Sequence, residues 1–217
     1  MEDYKQYIQQ LRHDFAKQTL LEEQVDNNPM VQFEKWFKEA VDAKVMEAQA
    51  FSLATVSEMG QPSIRIVYLR NFSENGFVFY TNYQSKKAKD VLVNSMVCMN
   101  FFWPELERQI RIEGDIAKIP ASESDEYFKM RPKGSQVGSW ASQQSSVLKN
   151  REDLDEKIKY YEEINKNKQI ERPEHWGGYI IKPNYYEFWQ GRPSRVHDRI
   201  AFDLEFNGSW TKKRLAP

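Results

Sequence analysis

From Phe51 onward the chain repeats with the two-residue period of a β-strand, in runs short enough that each must end in a turn. F-S-L-A-T-V leads to a turn at Glu58 to Gly60, P-S-I-R-I-V-Y-L-R follows, and N-F-S-E-N-G supplies the next turn before G-F-V-F-Y-T. Strands joined so tightly run antiparallel, because a parallel pair needs a long crossover. Met96 to Trp103 and Arg108 to Ile119 add two more, joined by P-E-L-E, and Gly177 to Pro217 reads as three or four. At least six antiparallel strands with peripheral helices predict a mainly β, α+β chain built on a β-barrel with helical additions.

The helices fall outside these runs. Asp3 to Gln18 carries Tyr4, Ile8, Leu11 and Phe15 on one stripe, and a polar run continues to Asn28, so residues 1–27 read as an N-terminal arm able to dock late or move. Residues 28–217 then form one domain, long enough for a sizeable core. Asn28-Pro29 is a helix start, Asn as cap and Pro in the first turn, with Phe33, Phe37, Ala40, Val41 and Val45 lining one side. Ser85 is placed to cap a short helix that opens with Lys86 and Lys87. Ala121 to Met130 is a further helix, and Arg151 to Lys166 is amphipathic through Leu154, Ile158 and Tyr161.

Charge and residue usage narrow the function. The 31 basic residues are balanced by 32 acidic ones, so neither a general nucleic-acid binder nor a membrane-surface binder is expected, and any anion site must be local. The single Cys98 sits in an apolar run and allows no intrachain disulfide. Histidines at 13, 175 and 197 lack metal-ligand spacing, so no metal is expected. No stretch has signal-peptide or membrane-spanning character, and the chain reads as cytoplasmic. Neither the dinucleotide nor the P-loop glycine fingerprint occurs.

Local chemistry concentrates between Glu187 and Arg199, E-F-W-Q-G-R-P-S-R-V-H-D-R. An indole offers a stacking face, guanidiniums offer forked donors for phosphate or carboxylate, and an imidazole titrates near neutrality. The spacing of Arg195, His197 and Arg199 predicts that all three share one face as a strand begins; a solvated edge with Arg–Asp pairs is the plainer alternative. Arg65, flanked by Ile64 and Ile66, needs an anionic partner if buried. Lys86 and Lys87 at a helix N-terminus favour a phosphate. Gln109 could bond the edge of a planar heterocycle. Tyr127, Arg131, Lys133 and Ser135 could surround a second phosphate, and Gln144-Ser145 could meet another anion or ring.

In order along the chain, R-I-V-Y-L-R (65–70), F-Y-T-N-Y-Q-S-K-K (79–87), E-R-Q-I-R-I-E-G (107–114), Y-F-K-M-R-P-K-G-S-Q-V-G (127–138), Q-S-S (144–146), E-F-W-Q-G (187–191), R-V-H-D-R (195–199) and the terminal R-L-A-P resemble the pyridoxine/pyridoxamine 5′-phosphate oxidases. The resemblance implies an FMN-binding split β-barrel, a homodimer with FMN at the interface, and oxidation of a phosphorylated B6 vitamer to pyridoxal 5′-phosphate with oxygen reduced to hydrogen peroxide. It assigns FMN to Arg65, Ile66, Val67, Tyr68, Leu69, Arg70, Tyr80, Thr81, Lys86, Lys87, Gln109, Gln144, Ser145, Trp189 and Arg199. Substrate falls to Arg70, Tyr127, Arg131, Ser135, Arg195, Val196 and His197, with Arg195 and His197 catalytic and a weaker contribution around Arg12 to Phe15. Two dianionic phosphates need two cationic clusters, and Arg65/Lys86/Lys87 and Arg70/Arg131 supply them.

Three positions depart from the family pattern. Arg70 stands where Lys is common, Lys86 where Arg is common, and Phe15 where Tyr is usual; the first two keep charge but change donor geometry. The competing readings are a split-barrel FMN reductase using a nicotinamide donor and a non-catalytic carrier of FMN or pyridoxal 5′-phosphate. The reductase has no need of the Arg131/Ser135 phosphate pocket or the Arg195/His197 pair, and peroxide production with pyridoxine 5′-phosphate separates an oxidase from the carrier.

Overall fold

A computed structural model describes residues 2–11 and 14–217. Its strands are β1 (Ala50–Val56), β2 (Pro62–Tyr68), β3 (Asn71–Ser73), β4 (Gly76–Asn82), β5 (Met96–Trp103), β6 (Arg108–Lys118), β7 (Trp176–Gln190), β8 (Asp198–Leu204) and β9 (Trp210–Arg214). They hydrogen-bond in the order β2-β1-β5-β6-β7-β4-β3, with β8 pairing β7 and β9. The first hairpin is as expected, Leu53 standing opposite Arg65. The third strand is not: β4 pairs with β7 rather than β2, and the presumed turn at 71–76 contains β3, which folds back on β4.

The helices are α1 (Glu2–Gln10), α2 (Pro29–Asp42), α3 (Lys86–Val93), α4 (Ala121–Met130), α5 (Lys133–Ala141) and α6 (Glu152–Ile164). Asn28 caps α2 as expected, its side chain accepting from the Met30 amide at 2.8 Å. Val41, expected on the buried stripe, is exposed, and Trp36 is buried there with Phe33 and Ala40. The helix expected to run to Gln18 ends at Gln10. Further on, the Ala16 and Lys17 amides both donate to the Glu107 carboxylate at 3.0 Å, and the Leu20 amide donates to Asp198 at 3.0 Å. Amides spent on side-chain carboxylates are lost to a helical ladder. Arg12 and His13 lie outside the described residues.

The contacts divide into two compact units. One comprises residues 1–48, 101–111 and 185–217. Its core packs Trp36 edge-on to Phe188 (5.3 Å) and Phe33 against Phe101 (5.3 Å), each buried ring contributing roughly 1.5–3 kcal/mol by leaving water. The other comprises residues 49–100 and 112–184. Phe51, Leu53, Phe77, Phe79 and Ile181 fill its sheet core, and Phe128, Val137, Ile170 and Trp176 form a second cluster beneath α4 and α5. Gly76 permits the approach of β4 to β7: a Cβ there would lie 2.1 Å from the Ile181 carbonyl oxygen.

Candidate active site

In the unit 49–100/112–184, strand β2 turns Arg65 inward at a hydrogen-bonding position. Its guanidinium donates to the Leu53 carbonyl (3.0 Å), the Thr55 hydroxyl (2.8 Å) and the Ser63 hydroxyl (2.7 Å). The anionic partner that burial requires is Asp90, 3.9 Å away and hydrogen-bonded by Thr55 at 2.7 Å. Burial pushes the Asp90 carboxyl up, but the bonds from Thr55 and Lys86 and the charges of Lys86 and Arg65 outweigh it, leaving it below its ordinary value.

The adjacent lysines of α3 part company. Lys86 turns back along its own helix to Asp90 at 3.2 Å and does not border the cavity, contrary to its expected place. Lys87 is buried, and its ammonium donates to three neutral oxygens: Gln144 Oε1 (2.7 Å), Thr81 Oγ1 (3.0 Å) and Ser85 Oγ (3.3 Å). Burial, and secondarily the charge of Arg65, lowers its pKa to about 8. Ser85 occupies the N-cap position, yet its side chain makes no cap bond.

Tyr80 and Tyr127 stack face to face at 3.8 Å, and Trp176 continues the parallel array 5.4 Å from Tyr80. Burial, with Tyr127, Glu123 and Tyr83 nearby, pushes the Tyr80 phenol up to about 12, so it remains a hydrogen-bond donor. Arg131 lies over the Trp176 ring, and Arg70 over Tyr68.

These groups border one cavity of about 440 Å³, in the range of small-molecule sites. Arg65, Ile66, Val67, Tyr68, Arg70, Tyr80, Thr81, Lys87, Tyr127, Arg131 and Gln144 all line it, as do Asn82 and Trp176, which sequence reasoning missed. A recess of about 260 Å³ shares Asn82, Arg131, Gln144 and Trp176 with it and reaches Ser135. Leu69 points instead into the core, and Ser145, exposed in a left-handed conformation (φ 71°), lines neither space. The α5 helix that carries Ser135 also went unforeseen; Pro132 before it was the available signal.

The unit 1–48/101–111/185–217 carries the remaining residues. Trp189 stands opposite Arg199 in the β7–β8 ladder. Arg195, His197 and Arg199 do not share a strand face: residues 193–195 form a 3₁₀ turn, Ser194 and Arg195 have φ of 57° and 60°, and β8 begins only at Asp198. Pro193 and the positive φ angles break the period. His197 packs 4.6 Å from Trp189, and its Nδ1 accepts the Arg192 amide at 3.2 Å, so the neutral ring carries its proton on Nε2. Burial, then the charge of Arg195, lowers its pKa.

Glu187, also overlooked as a working group, is buried between two arginines, accepting from Arg199 Nε at 2.8 Å and Arg111 Nη1 at 3.0 Å. Gln109 is half-buried on β6, on the same face as Arg111 and Glu113. Among the described residues, no group of three or more His, Cys, Asp or Glu side chains could hold a metal ion, and no helix is long and apolar enough to cross a membrane.

Residues 37–165 match the family model described as pyridoxamine 5′-phosphate oxidase, and residues 176–217 match that of the pyridoxine 5′-phosphate oxidase C-terminal dimerisation region. The chain belongs to the pyridoxamine 5′-phosphate oxidase family. A relative from Cytophaga hutchinsonii named pyridoxine/pyridoxamine 5′-phosphate oxidase is 47% identical over 98% of this chain and 100% of its own length. Another of that name, from Actinobacillus succinogenes, is 48% identical over 97% of this chain and 99% of its own. Among solved structures, PhzG from Burkholderia lata in complex with tetrahydrophenazine-1-carboxylic acid superposes with a TM-score of 0.86 at 26% identity, over 93% of this chain and all of that one. An FMN-binding protein from Nostoc punctiforme related to pyridoxamine 5′-phosphate oxidase gives 0.71 at 16% identity, over 89% of this chain and all of that one. The fold of this oxidase family, the split barrel, is the fold of this chain.

Proposed function

We propose that this chain oxidises pyridoxine 5′-phosphate or pyridoxamine 5′-phosphate to pyridoxal 5′-phosphate, with FMN as its cofactor and oxygen reduced to hydrogen peroxide. The observation that carries the reading is the single cavity bordered by both cationic clusters, Arg65 with Lys87 and Arg70 with Arg131, and walled by Tyr80, Tyr127 and Trp176. Its donor set fits FMN: a buried ammonium bonded only to neutral oxygens, beside a guanidinium, suits a phosphate dianion.

FMN, when bound, takes the electrons of the vitamer and passes them to oxygen; the chain's own residues bind, orient and exclude water. Arg65, Lys87, Thr81 and Gln144 hold the cofactor phosphate, with Ile66, Val67, Tyr68, Tyr80, Gln109, Trp189 and Arg199 assigned to FMN by family likeness. Arg70, Tyr127, Arg131 and Ser135 take the substrate phosphate. Arg195, Val196 and His197 orient the pyridine ring, with Nε2–H of His197 as the donor. Orientation of this kind can supply several kcal/mol of a barrier. Residues 1–27 act as an arm to the oxidase domain 28–217, and the enzyme works as a cytoplasmic homodimer with FMN at the interface. The match to a dimerisation region supports the dimer.

The test is peroxide release from the FMN-loaded protein given pyridoxine 5′-phosphate. Peroxide with stoichiometric aldehyde supports the oxidase; ligand binding with no peroxide contradicts it.

A further inference from the structure

Trp176 belongs to none of the sequence motifs that carry the family likeness, yet it borders both the main cavity and the recess that reaches Ser135. It is held from several directions. Its amide donates to the Pro173 carbonyl at 3.0 Å, its carbonyl accepts Arg172 Nη1 at 2.6 Å, and it stands opposite Asn82 in the β4–β7 ladder. Phe128 packs against the indole at 5.2 Å and 66°, and Tyr80 lies parallel to it, 10° between planes. A side chain so confined, 6% exposed, is a rigid platform.

What rests on the platform is Arg131. Its guanidinium carbon is 4.4 Å from the indole centroid, inside cation–π range, and its Nη1 donates to the Ser139 hydroxyl at 2.5 Å. Ser139 is itself fixed by donating to the Ser135 carbonyl at 3.0 Å. An indole face and a hydroxyl thus hold this cation, in a cavity that also contains Arg70. Burial and the charge of Arg70 both act against the charged form of Arg131, with only the Tyr127 phenol opposing them. A neutral platform can hold such a cation without neutralising it, whereas a carboxylate would consume the charge a ligand phosphate needs.

We propose that Trp176 is a positioning residue for the phosphate end of the substrate site: it presents Arg131 to a phosphate monoester and so sets the preference for phosphorylated over unphosphorylated vitamer. This rests on reading the Arg70/Arg131 cluster as the substrate phosphate site.

The experiment is to measure kcat/KM of the FMN-loaded enzyme for pyridoxine 5′-phosphate and for pyridoxine, and to take their ratio, in wild type, Trp176→Phe, Trp176→Leu, Arg131→Ala and the Trp176→Leu/Arg131→Ala double variant. The ratio cancels effects common to both substrates. It falls roughly thirtyfold in Trp176→Leu, the size of a desolvated cation–π contact, through KM for the phosphorylated substrate rather than kcat, and it falls less in Trp176→Phe, which keeps a ring. In the Arg131→Ala background Trp176→Leu lowers it no further, because the two act as one unit. Should Trp176→Leu fail to fold, Trp176→Phe decides by the same ratio. An unchanged ratio, or full additivity with Arg131→Ala, overturns the proposal. A wild-type enzyme with no preference for the phosphorylated substrate contradicts the phosphate-site reading beneath it.

Discussion

The ring of Phe15 stands edge-on to the imidazole of His197, centroids 5.5 Å apart and planes at 77°, and edge-on to Trp189 at 5.7 Å. Glu107 holds the segment there by accepting the next two amides, Ala16 and Lys17, on one carboxylate oxygen. Gly191 leaves the room, since a Cβ at that position would lie 2.7 Å from the phenyl ring.

Phe15→Ala therefore raises the pKa of His197. The imidazolium is disfavoured by burial first and by Arg195 second, with the Asp198 carboxylate adjacent in sequence and engaged by Arg192 and Arg214. Removing the ring restores water and relieves the larger cause. NMR titration of the His197 ring gives the direct reading, and the acidic limb of kcat/KM moves to higher pH with it. A pKa that stays or falls contradicts this account of Phe15.

FMN affinity weakens as pH rises through about 8. Lys87 has that pKa in the ligand-free protein because burial disfavours its charge, and a bound phosphate dianion favours the charged form. Binding above about pH 8 thus takes up a proton, and at higher pH it must supply the protonation free energy as well. Calorimetry in buffers of different ionisation heat measures the uptake. Lys87→Ala abolishes that linkage and weakens FMN by roughly ten- to a hundredfold, the range of a charged hydrogen bond.

Arg195→Ala lowers turnover while FMN stays bound, and Lys87→Ala does the reverse, loosening FMN first. Flavin content after gel filtration, set beside single-turnover rates, separates them. Exchange of the two phenotypes would overturn both role assignments.

Glu187→Ala destabilises the protein by about 3 kcal/mol, the low end for breaking a buried ion pair, because both arginines keep some solvent contact. Burial raises the Glu187 pKa, but the bond and charge of Arg199, the charge of Arg111 and the Tyr185 hydroxyl outweigh it, so the net shift is downward from 4.5. The stability it contributes is complete above pH 4.5 and is lost as pH falls through the lower native value. Urea melts of wild type and variant differ most above pH 4.5 and converge only as pH falls below the ordinary carboxylate range.

The strands from Ala50 to Lys118, β3 apart, were legible because alternation and turn residues agreed there, and the family likeness supplied the cavity residues of β2 and β4 other than Asn82. Other features overrode the rest. Lys86 pairs with Asp90 one turn along its own helix; Arg195 leaves the strand period at Pro193; the N-terminal helix ends at Gln10, and beyond it Glu107 and Asp198 take the amides of Ala16, Lys17 and Leu20. α5 was hidden by Gly134 and Gly138, weak helix formers whose Cβ positions are open space. Trp176 escaped notice because it bears no charge and lies in none of the motifs that carry the family likeness, its role visible only once Arg131 lay on its face.

The most direct measurement is the flavin absorbance near ~450 nm, a general property of oxidised flavins, after anaerobic mixing of FMN-loaded protein with pyridoxine 5′-phosphate. The account predicts bleaching as aldehyde forms, and recovery with hydrogen peroxide when air is admitted. A flavin that stays oxidised while both ligands are shown to be bound would contradict it.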